Sequence, residues 1–168
     1  KDEKKMAEEF NNFFKSVFTE EDTEQVPEPE QIYRGTNEEK LVDINITEVR
    51  VLKKLKQINP SKSPGIDDIN NSMIKENAEQ IAKQVTEMFR KSIDETILPD
   101  DWKMSNITPI FKKDSRRKVD NYRGVHLTAQ LCKTMESIIK DDIVEHIKKF
   151  NLIRNTKNGI QTGKAETK

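Results

Sequence analysis

The stretch WKMSNITPIFKKDSRRKVDNYRGVHL, Trp102 to Leu127, decides the fold. A short apolar segment, Ile107 to Phe111, runs into the cations Lys112, Lys113, Arg116, Arg117 and Lys118. A second apolar segment, Tyr122 to Leu127, follows with Arg123 inside it. Two strands at 105–111 and 122–127 joined by a positive loop are predicted. Such a hairpin holds fixed positive charge against a polyanion, either a triphosphate or a nucleic-acid backbone. The plainer alternative is that these cations solvate a strand edge and discourage edge pairing. Trp102 and Tyr122, each beside apolar positions, read as packing anchors rather than stacking platforms.

Helical patterns flank the hairpin. Ile74, Ala78, Ile81, Ala82, Val85, Phe89 and Ile93 form one stripe, so a core helix is expected over about 74–95, ended by Leu98-Pro99. After the hairpin, Leu131, Cys132, Met135, Ile138, Ile139, Ile143 and Ile147 predict another helix over 129–149, capped by Thr128. Earlier, Leu41 to Ile46 reads as extended. Thr47 caps a helix carrying Val51, Leu52, Leu55 and Ile58, and Asn59-Pro60 stops it. Met6, Phe10, Phe13, Phe14 and Val17 make a first helix at 1–19 with a strongly aromatic face, which needs something to pack on. Residues 20–40, acidic and interrupted by Pro27, Pro29 and Gly35, read as an exposed linker that makes the first helix a tethered arm. Residues 41–168 form the remaining unit.

Hydrophobic residues make up only 33% of the 168, so the core must be thin. Formal net charge is zero, yet residues 1–50 carry fourteen acids against seven bases, leaving residues 51–168 at +7. An acidic head on a basic body suits a body that meets phosphate, and equally a solvated linker beside an ordinary basic surface. The one cysteine, Cys132, excludes an internal disulfide and suits a reducing compartment, cytoplasm or nucleus. No apolar run approaches a membrane span, so no membrane partner is expected. Both termini have the look of cut ends.

Several chemistries fall away. Gly159 to Ala165 superficially matches a phosphate-binding loop, but it has three residues between the glycines and alanine where the magnesium-binding hydroxyl belongs. His126 and His146 are far apart and near no cysteine, which disfavours zinc. Asp67-Asp68 suits helix capping better than a metal pair. No metal site is expected in this chain.

The order of motifs adds a resemblance. Lys62-Ser63-Pro64-Gly65-Ile66-Asp67, Leu98-Pro99-Asp100-Asp101-Trp102-Lys103, Pro109-Ile110-Phe111-Lys112-Lys113, Asn121-Tyr122-Arg123 and the Gly-rich Lys157 to Ala165 follow one another. In this order and with these gaps the chain resembles the N-terminal part of the reverse transcriptase domain of non-LTR, LINE-type (jockey-like) retrotransposons. Asn11 to Thr19 is similar to the segment preceding that domain.

The resemblance implies an α+β, mainly helical fold: the fingers of a right-hand polymerase with a short β-hairpin, the palm largely missing. It implies that Lys112 or Lys113 and Arg123 contact the triphosphate of the incoming deoxynucleotide. Fixed cations suit that role because charge grows on the leaving pyrophosphate. It implies a template path lined by Lys62, Pro64 and Gly65 and by Gly159, Gly163 and Lys164. There the lysines would meet phosphate and the glycines would let main chain approach; a surface turn at each is the alternative. Implied partners are an RNA template, a DNA primer and the remainder of the palm and thumb, the last covering Ile143, Ile147 and Leu152. The metal-binding aspartates belong beyond the Gly-rich segment. Mg2+ is thus expected only in a full-length enzyme, and this chain alone should polymerise nothing.

The sequence departs from the family's N-Y-R-P-I-S-L at Gly124 and His126, and glycine for proline should loosen the backbone beside Arg123. A diverged copy fits these departures. The competing function is a non-catalytic module that binds nucleic acid or a protein through its basic face or its aromatic first helix. In that case Arg116, Arg117 and Lys118 serve as nonspecific phosphate contacts.

Overall fold

The computed structural model describes residues 2–18 and 40–152, so the expectations for the linker and for the Gly-rich segment lie outside the described residues. Within them the chain is α+β and mostly helical. The elements are α1 (Glu3–Ser16), α2 (Glu48–Lys56), α3 (Asn71–Glu76), α4 (Ala78–Asp94), β1 (Asn106–Phe111), β2 (Tyr122–Leu127) and α5 (Gln130–Lys149). Single-turn 3-10 helices precede each strand, at Asp100–Lys103 and Val119–Asn121. No helix among the described residues is long and apolar enough to cross a membrane.

The core lies between α2, α4 and α5. Val51, Leu55, Phe89 and Ile138 are fully buried, and Ala78, Ala82, Val85 and Met135 fill the space between them. These are the stripes the periodicity marks, which is why the helices pack on one another. Trp102 closes one end, its ring edge-on to Phe89 at 5.8 Å.

Polar ties fix the helices around this thin core. Arg50 of α2 pairs with Asp142 of α5 at 2.5 Å, and Asp142 also accepts the Asn45 N–H at 2.7 Å. The Arg50 guanidinium hydrogen bond holds the Asp142 carboxyl below the usual carboxylate range, aided by the Asn45 N–H against a desolvation cost. Lys54 reaches both Asp141 at 2.6 Å and the Ser137 hydroxyl at 2.8 Å. Arg90 of α4 donates to the Ile46 carbonyl at 2.8 Å. The segment before α2, read from the sequence as extended, is held by hydrogen bonds to its main chain.

Two boundaries and one stop signal differ from the sequence expectation. The long helix does not run unbroken from Ile74: Asn77 ends α3, its amide nitrogen donating to the Met73 carbonyl at 2.8 Å, and α4 starts at the next residue. The same helix ends at Asp94, before Leu98-Pro99. There the Thr96 N–H bonds Ile93 O and the Ile97 N–H bonds Ser92 O, a Schellman closure with Thr96 at φ 54°. Thr128 does not cap α5; the residue at the cap is Ala129, with no side-chain hydrogen bond.

β1 and β2 pair antiparallel, Asn106 opposite Leu127 through Phe111 opposite Tyr122. The ladder continues one step further, the Lys112 N–H donating to Asn121 O at 2.8 Å. Counting back in twos from that bond places Pro109 and Gly124 in a non-hydrogen-bonded pair. Proline therefore costs the ladder no donor, and its blank edge faces outward.

α1 is not a free arm. It lies across one face of the hairpin, with Phe10 edge-on to Tyr122 at 4.8 Å and Phe14 buried. A Cβ built on Gly124 would stand 2.9 Å from Ile107 Cγ2 and 3.5 Å from the Phe14 ring. Gly124 thus makes room for α1 and Ile107.

Candidate nucleic-acid interface

The pleat sorts the hairpin into two faces. Ile107, Pro109, Phe111, Tyr122 and Gly124 turn toward α1, while Thr108, Ile110, Arg123 and Val125 turn away from it. Arg123 is exposed and directly opposite Ile110. Lys112 follows Ile110 by two positions, so the alternation puts it on Arg123's face as a diagonal neighbour. Lys113, the next residue, is exposed at the start of the loop. None of the three has an ion-pair partner among the described residues. Their charge is directed at solvent.

The loop between the strands has a defined shape. Asn121 donates its amide to Ser115 O at 2.8 Å, and the Tyr122 hydroxyl donates to Arg116 O at 3.1 Å. The Lys118 N–H bonds Ser115 O at 3.3 Å, and Arg117 N–H bonds the Ser115 hydroxyl at the same distance. Asp114 turns the chain with φ 65°. Arg116 lies over the Phe111 ring, its Cζ 4.9 Å from the centroid, a cation–π contact that fixes one of the loop cations. Asn121, Tyr122 and Arg123 therefore divide the labour: the first two tie the loop by its carbonyls, and the third projects from the face opposite Tyr122. Sequence reasoning treats Tyr122 as an anchor and overlooks Asn121; a carboxamide beside a turn was the available signal.

The second candidate group is the loop after α2. Lys62 is exposed and Gly65 buried. Asn71, 1% exposed, holds this loop by donating to Asn59 O at 3.4 Å and Lys62 O at 3.1 Å, a role the sequence does not announce. Gly65 rests against the chain itself: an added Cβ would be 2.6 Å from Thr128 C and from Ala129 N and Cα. The close approach expected of this glycine is made to the entrance of α5. Pro64 is half-buried beside it.

Asp67 and Asp68 do not cap a helix. Asp67 accepts the Ile69 N–H at 3.4 Å in a local turn, Asp68 sits at φ 52°, and Asn70 caps α3 through the Ser72 N–H at 2.9 Å.

Gly65 meets the chain one residue after β2, whereas Arg123 lies near the strand's other end. Five residues at about 3.4 Å each separate Arg123 from Thr128, roughly 17 Å. The Gly65 contact and Arg123 thus lie toward opposite ends of β2. Gly159, Gly163 and Lys164 lie outside the described residues. No family model matches the chain.

Proposed function

We propose that this chain is the fingers part of a reverse transcriptase of the non-LTR retrotransposon type, contributing contacts to the incoming deoxynucleoside triphosphate and to the template. The observation that carries this reading is the division within Asn121-Tyr122-Arg123. Two side chains build the loop and the third, with Lys112 beside it, is left as unneutralised charge on a two-stranded support. A planar, permanently charged guanidinium on a strand suits a triphosphate whose charge rises during transfer, because it needs no rearrangement as the reaction proceeds. Lys113 extends that charge toward the loop.

In this reading the loop from Lys62 to Asp67 faces the template, with Lys62 meeting a phosphate. In the same reading Mg2+ and the carboxylates that bind it belong to the remainder of the polymerase, and the described residues bind and orient the nucleotide. The competing reading, a non-catalytic module, loses one of its two surfaces, since the aromatic face of α1 is turned onto the hairpin. Its basic surface remains.

Titration of the isotope-labelled chain with dTTP tests the proposal by amide chemical shifts. Shifts should cluster at residues 110–113 and 122–125, and Arg123→Ala should weaken the apparent affinity about tenfold, in line with the loss of a charge-assisted hydrogen bond. No shift at millimolar dTTP, or shifts that Arg123→Ala leaves unchanged, would refute it.

A further inference from the structure

α1 and the basic loop enclose a cleft of about 530 Å³ on the face of the hairpin opposite Arg123. One wall is the loop, with Arg117 and Lys118. The other is the first half of α1, with Lys5 and Glu9, and Phe10 and Tyr122 supply aromatic surface. We infer that this cleft binds a single-stranded polynucleotide, its phosphates on Arg117 and Lys118 and a base against the Phe10 and Tyr122 rings.

Four observations converge on that ligand. Arg117, Lys118 and Lys5 have no ion-pair partner among the described residues, so their charge is available. The loop backbone is tied by Asn121 and Tyr122, so the cations are presented without ordering the loop anew. Aromatic surface beside cations is the combination that holds single strands through stacking and phosphate contacts, without reading sequence. The size is that of a small-ligand pocket, too small to admit a duplex. Asp2 and Glu9 oppose the anion, but Asp2 is engaged as the cap of α1, accepting the Lys5 N–H at 3.4 Å. Glu9 is the one acid of the wall with no hydrogen bond or ion pair among the described residues, which makes it a sensitive reporter. This site stands apart from the triphosphate reading, because it uses the other face of the hairpin and a helix that reading does not need.

Fluorescence anisotropy of the chain with labelled rU12 and dT12, at several salt concentrations, provides the test; UTP and a 12-bp duplex serve as competitors. Arg117→Ala/Lys118→Ala should weaken 12-mer binding about tenfold and reduce the salt slope by about 1.4, two contacts at about 0.7 each. Glu9→Gln should tighten binding, and Glu9→Lys more so, since both remove negative charge from the α1 wall. Lys75→Ala/Lys83→Ala, the same loss of charge at exposed positions of α3 and α4, should leave 12-mer affinity within about twofold. Preference for rU12 over dT12 assigns RNA, the reverse assigns DNA, and equal binding supports a site that reads neither sugar. An unchanged slope in the Arg117/Lys118 variant, indifference to Glu9, or competition by UTP or duplex as strong as by the 12-mers would overturn the inference.

Discussion

Gly65 and Ala129 meet main chain to main chain: a methyl group on Gly65 would stand 2.6 Å from both the nitrogen and the Cα of Ala129, itself fully buried. Backbone on both sides leaves nothing to rotate away, so the loop after α2 and the entrance of α5 must separate if Gly65 gains a side chain. Gly65→Ala should cost about 2 to 3 kcal/mol, the upper part of the range for overpacking. Urea denaturation followed by circular dichroism checks it; a loss under about 0.5 kcal/mol, the scale of a neutral surface change, would mean the two segments part easily.

Thr96 predicts a change in the opposite direction. It occupies the left-handed position of the Schellman closure of α4 with φ 54°, where a β-branched residue is strained and glycine is the usual occupant. Thr96→Gly should stabilise the chain by about 1 kcal/mol, the left-handed strain relieved less the glycine's larger entropy loss on folding. The denaturation midpoint should rise with the m-value unchanged.

The Arg50–Asp142 pair sets an acid response. The Asp142 carboxyl is held below its ordinary range chiefly by the Arg50 hydrogen bond, so its contribution to stability is complete above about pH 4 and is lost as pH falls through the depressed value. Arg50 is raised from an already high value and contributes nothing to this window. Asp142→Asn should cost about 2 kcal/mol at pH 7 and flatten the fall in stability between about pH 5 and pH 2. Parallel slopes for the two proteins would remove Asp142 from the explanation.

Cys132 should be chemically quiet. Burial, and then the Glu136 carboxylate 3.5 Å from Sγ, push its thiol up to about 11. At pH 8 only about one thiol in a thousand is ionised, and the thiolate is the reactive form. Ellman's reagent should react at least about a hundredfold more slowly with the folded chain than with the chain in urea. Comparable rates would show that the start of α5 opens readily.

What the sequence discloses, and what it hides, follows from the range of the interactions. The hairpin is legible because both its strands and its loop chemistry are local, and α4 because its stripe is long and regular. Asn77 is illegible as a break, since the apolar spacing runs straight through it. Thr96 is illegible as a terminus because Pro99 offers a more obvious stop. The partner of α1 is beyond sequence pattern altogether: Phe10 and Tyr122 touch across more than a hundred residues, and an amphipathic face does not name what covers it. For the same reason Gly124 looks like a loosened strand and is in fact a seat for Phe14 and Ile107. Among the candidate site residues, the exposure of Arg123, Lys112 and Lys62 follows from charge alone. That Arg123 and Lys112 share one face of the hairpin required the register of the strands.

The ties from Asn121 and Tyr122 to the Ser115 and Arg116 carbonyls have a consequence for how this region can change. The loop's outline is written in peptide oxygens, the Ser115 hydroxyl and the side chains of Asn121 and Tyr122, so positions 117 and 118 carry no part of that outline in their side chains. Selection can raise, lower or reverse the charge there without asking the hairpin to refold. Shape is inherited and charge is adjustable, a division that lets one scaffold carry different surface charge by substitution alone.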